Sequence, residues 1–194
     1  MKRQILFVQG AGKGVHDEWD NKLVDSLRQE LGPDYEVRYP RMPNEDDPSY
    51  AAWKPAIERE LAVLRDGSIL IGHSVGGTIL VKTLTEQSKP PKFGAICLMA
   101  APFIGEGGWP GDEIRFPQDL GARLPESVPI HLWHGLGDKT VPPSHVDLYA
   151  RAIPQARVHR LPGSGHQFDD DLKEVAAAIL SLSARGRDEA SAEN

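Results

Sequence analysis

Three residues of this sequence, Ser74, Asp138 and His166, have the chemical types and the chain order that nucleophilic catalysis requires. A serine hydroxyl attacks a carbonyl carbon efficiently only when a neighbouring base accepts its proton, and a histidine oriented by a carboxylate is such a base. Each of the three follows an apolar run and has glycine nearby, where a side chain can protrude into a cleft. The pattern predicts acyl transfer, with Ser74 as nucleophile, His166 as general base and Asp138 as the group that orients His166.

The segment around Ser74 has the pattern of a nucleophile elbow, a strained turn that exposes a serine between a strand and a helix. Apolar residues 69–71 precede a Gly-x-Ser-x-Gly segment, and helix-compatible residues follow from Thr78. Glycine fits at Gly72 and Gly76 because the backbone around such a serine is crowded. The pentapeptide also occurs by chance, so an ordinary serine in a glycine-rich turn is the alternative interpretation.

Other residues compete for the roles of acid and base. Asp112 and Asp119 are alternative acids, but neither follows a predicted strand, whereas Asp138 does. Histidines in or beside predicted strands are expected to be structural or solvated. This expectation sets aside His73, His134 and His159; His16, which follows the glycine loop, is a further competing base.

The glycine-rich loop after the first apolar run, residues 9–14, raises the question of nucleotide binding. A dinucleotide fingerprint needs glycine where Val15 stands, and a P-loop needs Ser or Thr where Gly14 stands, so both motifs fail. In a serine hydrolase such a loop donates a backbone N–H to the oxyanion, and the residue after the serine donates a second. The expected oxyanion-hole donors are Ala11 or Gly12, together with Val75; a plain flexible turn is the alternative.

A stretch rich in glycine and aromatic residues, 102–125, predicts a short lid loop that is too small for a second domain. Large side chains in this lid and after the glycine loop are candidates to line an open, partly apolar pocket that favours short acyl groups. The candidate pocket residues are His16, Trp19, Trp109, Ile114 and Phe116.

The composition is that of an ordinary globular protein. The chain has 194 residues, 40% of them hydrophobic and 26% charged, which is enough for one domain with its own core. Its net charge of -6 argues against nucleic acid and an anionic membrane as partners, because both attract basic surfaces. The single cysteine, Cys97, excludes an internal disulfide. Apolar residues 5–8 are too few for a signal peptide or membrane span, so we expect a cytoplasmic protein.

Strand and helix patterns alternate along the chain, which predicts an α/β fold with a three-layer, doubly wound parallel sheet. Continuous apolar runs indicate central strands, and the alternating second and sixth strands indicate edges, so the strand order 2-1-3-4-5-6 follows. Ligands bind such sheets at the carboxyl ends of strands next to the reversal of order, where the glycine loop and Ser74 lie. The predicted strands are 5–8, 35–39, 69–71, 95–100, 130–133 and 157–161.

Residues 1–183 are expected to form this single domain, and the polar residues 184–194 a disordered tail.

Three motifs resemble those of the α/β-hydrolase superfamily: Gly-His-Ser-Val-Gly-Gly at 72–77, His-Gly-Leu-Gly-Asp at 134–138 and Gly-Ser-Gly-His at 163–166. The resemblance extends over residues 5–183. It points to the small single-domain serine hydrolases that lack the first two strands of the superfamily and any cap domain, a group that includes proteins similar to retinoblastoma-binding protein nine. That group usually lacks the last glycine of the pentapeptide, which is present here. The resemblance implies a minimal α/β-hydrolase fold and a cofactor-free esterase-type hydrolase.

The leading hypothesis is therefore a serine hydrolase that cleaves small to medium carboxylic esters, with a small molecule as substrate and neither a cofactor nor a metal. A serine nucleophile disfavours epoxide hydrolase and dehalogenase chemistry, for which this superfamily uses aspartate. A thioesterase, an amidase or a perhydrolase would carry the same triad. A catalytically weak interaction protein on the same fold, with residues 40–48 and the lid as its binding surface, is the alternative from another class.

Overall fold

The computed structural model describes residues 2–87, 92–111, 113–125 and 127–192. Its six strands pair in parallel in the order β2-β1-β3-β4-β5-β6, which confirms the predicted topology. The chain leaves β1 for the edge strand β2 and returns to β3 on the other side of β1, so the order reverses between β1 and β3. The strands are β1 (Arg3–Val8), β2 (Tyr35–Arg38), β3 (Ile69–His73), β4 (Ala95–Met99), β5 (Ile130–Gly135) and β6 (Arg157–Leu161).

Burial follows the sequence pattern of each strand. The apolar strands β3, β4 and β5 are buried along their whole length, and β1 is buried from its second residue onward. The alternating strands β2 and β6 keep residues at intermediate or full exposure, as edge strands do. Apolar patterning therefore predicted correctly which strands lie inside the sheet.

Within the described ranges, five α-helices cover the two faces of the sheet. One face packs against α1 and α5 around side chains such as Leu27 and Ile179, and the other against α2, α3 and α4 around Trp53 and Leu80. None of the helices in the described part of the chain is long and apolar enough to cross a membrane. The helices are α1 (Asp20–Leu31), α2 (Tyr50–Leu61), α3 (Ser74–Thr85), α4 (Ser144–Ala152) and α5 (Lys173–Ala192).

The last helix extends further than expected. It runs to Ala192, so residues 184–192, which we expected to form a disordered tail, are helical, and residues 193–194 lie outside the described residues. Alanine and arginine, which recur in this segment, favour helix.

The predicted lid, 102–125, is held at its start by buried polar contacts. The carbonyl oxygen of Pro102 accepts hydrogen bonds from Thr78 Oγ1 at 2.6 Å and from the Tyr149 hydroxyl at 3.1 Å. His145 Nδ1 accepts the N–H of Phe103 at 2.9 Å. These contacts tie the start of the lid to α3 and α4, so its path depends on residues distant in sequence.

Candidate active site

Ser74 lies at the junction of β3 and α3 with a φ of 50°, a left-handed conformation that L-residues rarely adopt. Neighbouring segments leave no room for side chains at the flanking glycines. A Cβ on Gly72 would lie 2.5 Å from Gly77 Cα, and a Cβ on Gly76 would overlap the carbonyl oxygen of Gln9. The turn therefore has the strained and crowded geometry that we expect of a nucleophile elbow.

The three residues predicted to act together do meet in space. His166 Nε2 lies 3.0 Å from Ser74 Oγ, and His166 Nδ1 lies 2.8 Å from Asp138 Oδ2. Ser74 follows β3, Asp138 follows β5 and His166 follows β6, so all three stand at the carboxyl edge of the sheet. Because a carboxylate only accepts, His166 Nδ1 carries the proton, and Nε2 is free to accept the serine hydroxyl.

The carboxylate of Asp138 is buried and held by several donors. Its Oδ1 accepts the backbone N–H groups of Thr140 at 2.8 Å and Val141 at 2.9 Å, and His134 Nε2 lies 3.3 Å from Oδ2. Burial acts to raise the pKa of Asp138, but hydrogen bonds from His134, His166 and the Val141 N–H hold it well below its ordinary value. Asp138 is therefore ionised and fixed in orientation.

The surroundings of His166 favour the neutral form of its imidazole. Burial lowers the pKa of His166 below its ordinary value, and the hydrogen bond from its ring to Asp138 opposes this shift without cancelling it. A neutral imidazole can act as a base toward Ser74.

Backbone donors lie beside Ser74 where an oxyanion would need them. Val75 is the second residue of α3, so its N–H has no partner within the helix, and it lines one cavity together with Ala11 and Ser74. In the part of the chain that the structure describes, no acceptor takes the N–H of Ala11. The N–H of Gly12, by contrast, donates to the Glu45 carbonyl at 2.6 Å. Of the two expected loop donors, Gly12 is therefore already engaged, and Ala11 is the one that remains available.

The cavity at Ser74 has a volume of about 210 Å³. Trp109 is the only one of the five expected pocket residues among the described residues that line it. Its indole packs edge-on against the His145 ring, with centroids 5.7 Å apart. Val15, Thr140 and Gln167 also line the cavity, and the sequence analysis did not single them out.

The other four expected pocket residues lie elsewhere, which corrects that part of the prediction. The His16 ring stacks on Tyr39 and its Nδ1 bonds Asp17, while Trp19 is 48% exposed with Lys22 over its ring. Ile114 and Phe116 line a different and larger cavity of about 850 Å³. A π-helical turn, Val15–Trp19, ends at the exposed Trp19. The ring of Phe116 packs against Phe103 and Tyr149.

The residues considered as alternatives have other partners. His134 Nε2 donates to the Val141 carbonyl at 2.9 Å, and His159 stacks on Trp133 with centroids 3.8 Å apart. Asp119 pairs with Arg123 at the surface, and Asp112 lies outside the described residues. Among the described residues, no group of three or more His, Cys, Asp or Glu side chains is arranged to bind a metal ion.

One polar neighbour of the site was missed entirely by sequence reasoning. Asp20, the first residue of α1, is fully buried and contacts His73 directly beside Ser74. An aspartate at the start of a helix is usually an exposed capping residue, so no sequence signal distinguishes this one.

Comparison with known proteins gives the fold but no near relative. No family model and no curated protein matches the sequence. Among solved structures, the ydeN gene product of B. subtilis superposes with a TM-score of 0.71 at 17% identity, covering 94% of this chain and 100% of that one. CarC, a serine hydrolase involved in carbazole degradation, superposes with a TM-score of 0.69 at 14% identity, covering 95% of this chain and 92% of that one. Esterase PE8 gives 0.64 at 19% identity, covering 93% of each chain.

These likenesses establish an α/β-hydrolase fold, as the sequence motifs had indicated. The ydeN gene product is covered over its full length, so this chain has the fold in a minimal form.

Proposed function

We propose that this protein is a serine hydrolase that cleaves small carboxylic esters through an acyl-enzyme. The observation that carries the proposal is the hydrogen-bonded chain from Ser74 to His166 at 3.0 Å and from His166 to Asp138 at 2.8 Å. The likeness in fold to a serine hydrolase and to an esterase supports it. A protein that only bound a partner would not need the three groups in this arrangement.

The reaction begins when the carbonyl carbon of the ester reaches Ser74. His166 Nε2 accepts the hydroxyl proton as Oγ attacks, Asp138 stabilises the imidazolium, and the N–H groups of Ala11 and Val75 bind the oxyanion. The intermediate then collapses as His166 returns the proton to the departing alcohol, which leaves the acyl group on Ser74. Water, deprotonated by His166, attacks the acyl-enzyme and releases the carboxylic acid.

The size of the cavity favours short acyl groups. Its volume of about 210 Å³ is below the range of about 300–1,000 Å³ that is usual for drug-sized ligands. Trp109 is its largest lining residue, so Trp109→Ala is expected to extend activity toward longer acyl chains.

Hydrolysis of p-nitrophenyl esters from acetyl to long acyl chains tests the proposal. Wild type is expected to prefer the short esters, and Ser74→Ala to lose about 10⁴-fold or more in kcat. Ser181→Ala, an exposed serine on α5, is the matched control that keeps full activity. If folded wild type and Ser74→Ala are equally inert, the ester hypothesis is rejected. Thioesters and amides of the same acyl groups then test the two alternatives that share the triad.

A further inference from the structure

Beside the triad lies a second histidine–carboxylate pair, His73 and Asp20, that the proposed mechanism does not use. Their side chains are 1% and 0% exposed. His73 is the last residue of β3 and directly precedes Ser74, and Asp20 begins α1. His73 Nδ1 lies 3.0 and 2.9 Å from the two carboxylate oxygens of Asp20. The pair therefore joins α1 to the nucleophile elbow.

The hydrogen-bond partners of His73 favour a proton on each of its ring nitrogens. Its Nδ1 faces the Asp20 carboxylate and its Nε2 lies 3.1 Å from the carbonyl oxygen of His166. The carbonyl can only accept, and both oxygens of Asp20 also accept N–H groups from Gly10 and Gln167, as an ionised carboxylate does, so each ring nitrogen donates. His73 is thus an imidazolium cation, and Asp20 balances its charge.

Electrostatics within the pair agree with this assignment. Burial acts to lower the pKa of His73, but the charge and hydrogen bond of Asp20 outweigh burial and raise that pKa. Burial acts to raise the pKa of Asp20, but the charge of His73 and hydrogen bonds from His73 and Gly10 lower it.

The pair connects the three segments that carry the proposed chemistry. Asp20 Oδ2 accepts the N–H of Gly10, the neighbour of Ala11, at 2.7 Å, and the carbonyl of His166 accepts from His73. Gly10 also packs closely here, since a Cβ on it would lie 3.2 Å from Ser74 Cβ and 3.3 Å from His73 Nδ1. The oxyanion loop, the elbow and the histidine loop therefore meet at one buried ion pair.

We propose that Asp20 and His73 are positioning residues, a permanently charged pair that fixes the loops of Ala11 and His166 relative to Ser74. This inference rests on the proposed function, because alignment of these segments matters only if they carry out catalysis. A misplacement of about 1 Å between catalytic groups costs about 100-fold in rate. The pair restrains each segment by a backbone hydrogen bond or by direct adjacency, so the loss of either charge is expected to loosen their alignment.

The pair also influences the proton affinity of His166. The charged and titratable groups that face His166 are Asp138 after β5, His73 on β3 and Asp20 on α1. The rings of His73 and His166 have centroids 4.9 Å apart. Burial is the largest influence and lowers the pKa of His166. The nearby His73 cation also acts to lower this pKa, while Asp138 and Asp20 act to raise it. Removing the cation is therefore expected to raise the pKa of His166.

The charge state of His73 is tested without any substrate by nitrogen-15 NMR of the wild-type protein. At about pH 8.5, roughly two units above the ordinary histidine pKa, His73 is expected to show two protonated ring nitrogens. A single protonated nitrogen on His73 at this pH would overturn the proposal.

Kinetics test the positioning role. Asp20→Asn is expected to lower kcat by about 100-fold with little change in KM. His73→Gln, which removes the cation but keeps a side-chain N–H, is expected to move the acidic limb of kcat/KM to higher pH. Asp25→Asn, an exposed aspartate on the same helix, is the control.

The outcomes separate this inference from the proposed function. The positioning role is overturned if wild type is active, Asp20→Asn keeps a normal kcat and the acidic limb of kcat/KM does not move in His73→Gln. A merely structural pair would leave that limb in place. Wild type inert toward every ester rejects the proposed function, and the NMR measurement then decides alone whether the charged pair exists.

Discussion

The protonation of His166 determines when the proposed active site can work. Burial holds its pKa below the ordinary value of about 6.5. Because the base must be neutral, kcat/KM should rise with pH through this pKa and then level off. We therefore expect half-maximal kcat/KM below pH 6.5 and a plateau across neutral pH, measured with a short ester over a pH series. A midpoint well above about 7 would contradict this electrostatic description.

Asp138 fixes the tautomer of His166, so an isosteric amide is a sharp test of its role. Asp138→Asn is expected to lower kcat by about 10⁴-fold, since the amide can donate to Nδ1 and favour the wrong tautomer. Asp147→Asn, at a partly exposed residue of α4 that pairs with Arg160, is the matched control. Steady-state kinetics with circular dichroism as a check of folding decides the question. Activity retained in Asp138→Asn would remove it from the triad.

At the residue level, the sequence predicted which three residues meet at the carboxyl edge of the sheet but only part of their surroundings. Ser74, Asp138 and His166 each follow a strand of a parallel sheet, so topology alone brings them to one edge. Asp20 could not be found in this way, because nothing in the sequence shows that this helix-start aspartate is buried against His73.

At the level of elements, the elbow depends on the close approach of α3 to β1. A Cβ on Gly76 would overlap the Gln9 carbonyl, and backbone cannot move away as a flexible side chain can. Gly76→Ala is therefore expected to destabilise the protein by about 2 kcal/mol or more. Gly165→Ala is the control, because a Cβ there meets nothing within 4 Å. Urea denaturation of both variants measures the difference. Equal stability of the two would show that the crowding at the elbow is relieved easily.

Some backbone conformations could not be predicted from the sequence. Phe168, Asp169 and Asp170 have consecutive positive φ angles of 51°, 56° and 57° directly after the histidine loop. Such a run is costly for L-residues, and it is compatible with burial of Phe168 against His73, whose ring centroid lies 6.3 Å away. The lid is a similar case, because its path is set by contacts with Thr78, Tyr149 and His145 rather than by local propensity.

At the level of the whole molecule, one sheet separates two core layers, so both should unfold together. Leu27 on α1 and Leu80 on α3 are fully buried on opposite faces. Either Leu→Ala change is expected to lower the free energy of unfolding by about 2–5 kcal/mol, within a single transition. Val63→Ala, at a residue 58% exposed, is the control.

Urea unfolding followed by both far-UV circular dichroism and tryptophan fluorescence checks this expectation, since Trp53 and Trp133 belong to different layers. Two separate transitions would show that the layers are not coupled through the sheet.

The strand order was predictable because buried and edge strands differ in their apolar pattern. The continuous runs of β1, β3 and β4 and the alternation of β2 and β6 left few arrangements compatible with right-handed crossovers. The pocket was not predictable in the same way, since Ile114 and Phe116 are apolar wherever the lid places them.

Covalent labelling of the nucleophile tests the central claim most directly. An alkyl fluorophosphonate transfers its phosphonyl group to a serine oxygen and releases fluoride when a neighbouring base takes the hydroxyl proton. Mass spectrometry of the labelled protein and its peptides is expected to locate one adduct on Ser74, absent in Ser74→Ala and formed far more slowly in His166→Ala. A folded wild-type protein that gains no adduct, or gains one elsewhere at the same rate in Ser74→Ala, would contradict the assignment of Ser74 as an activated nucleophile.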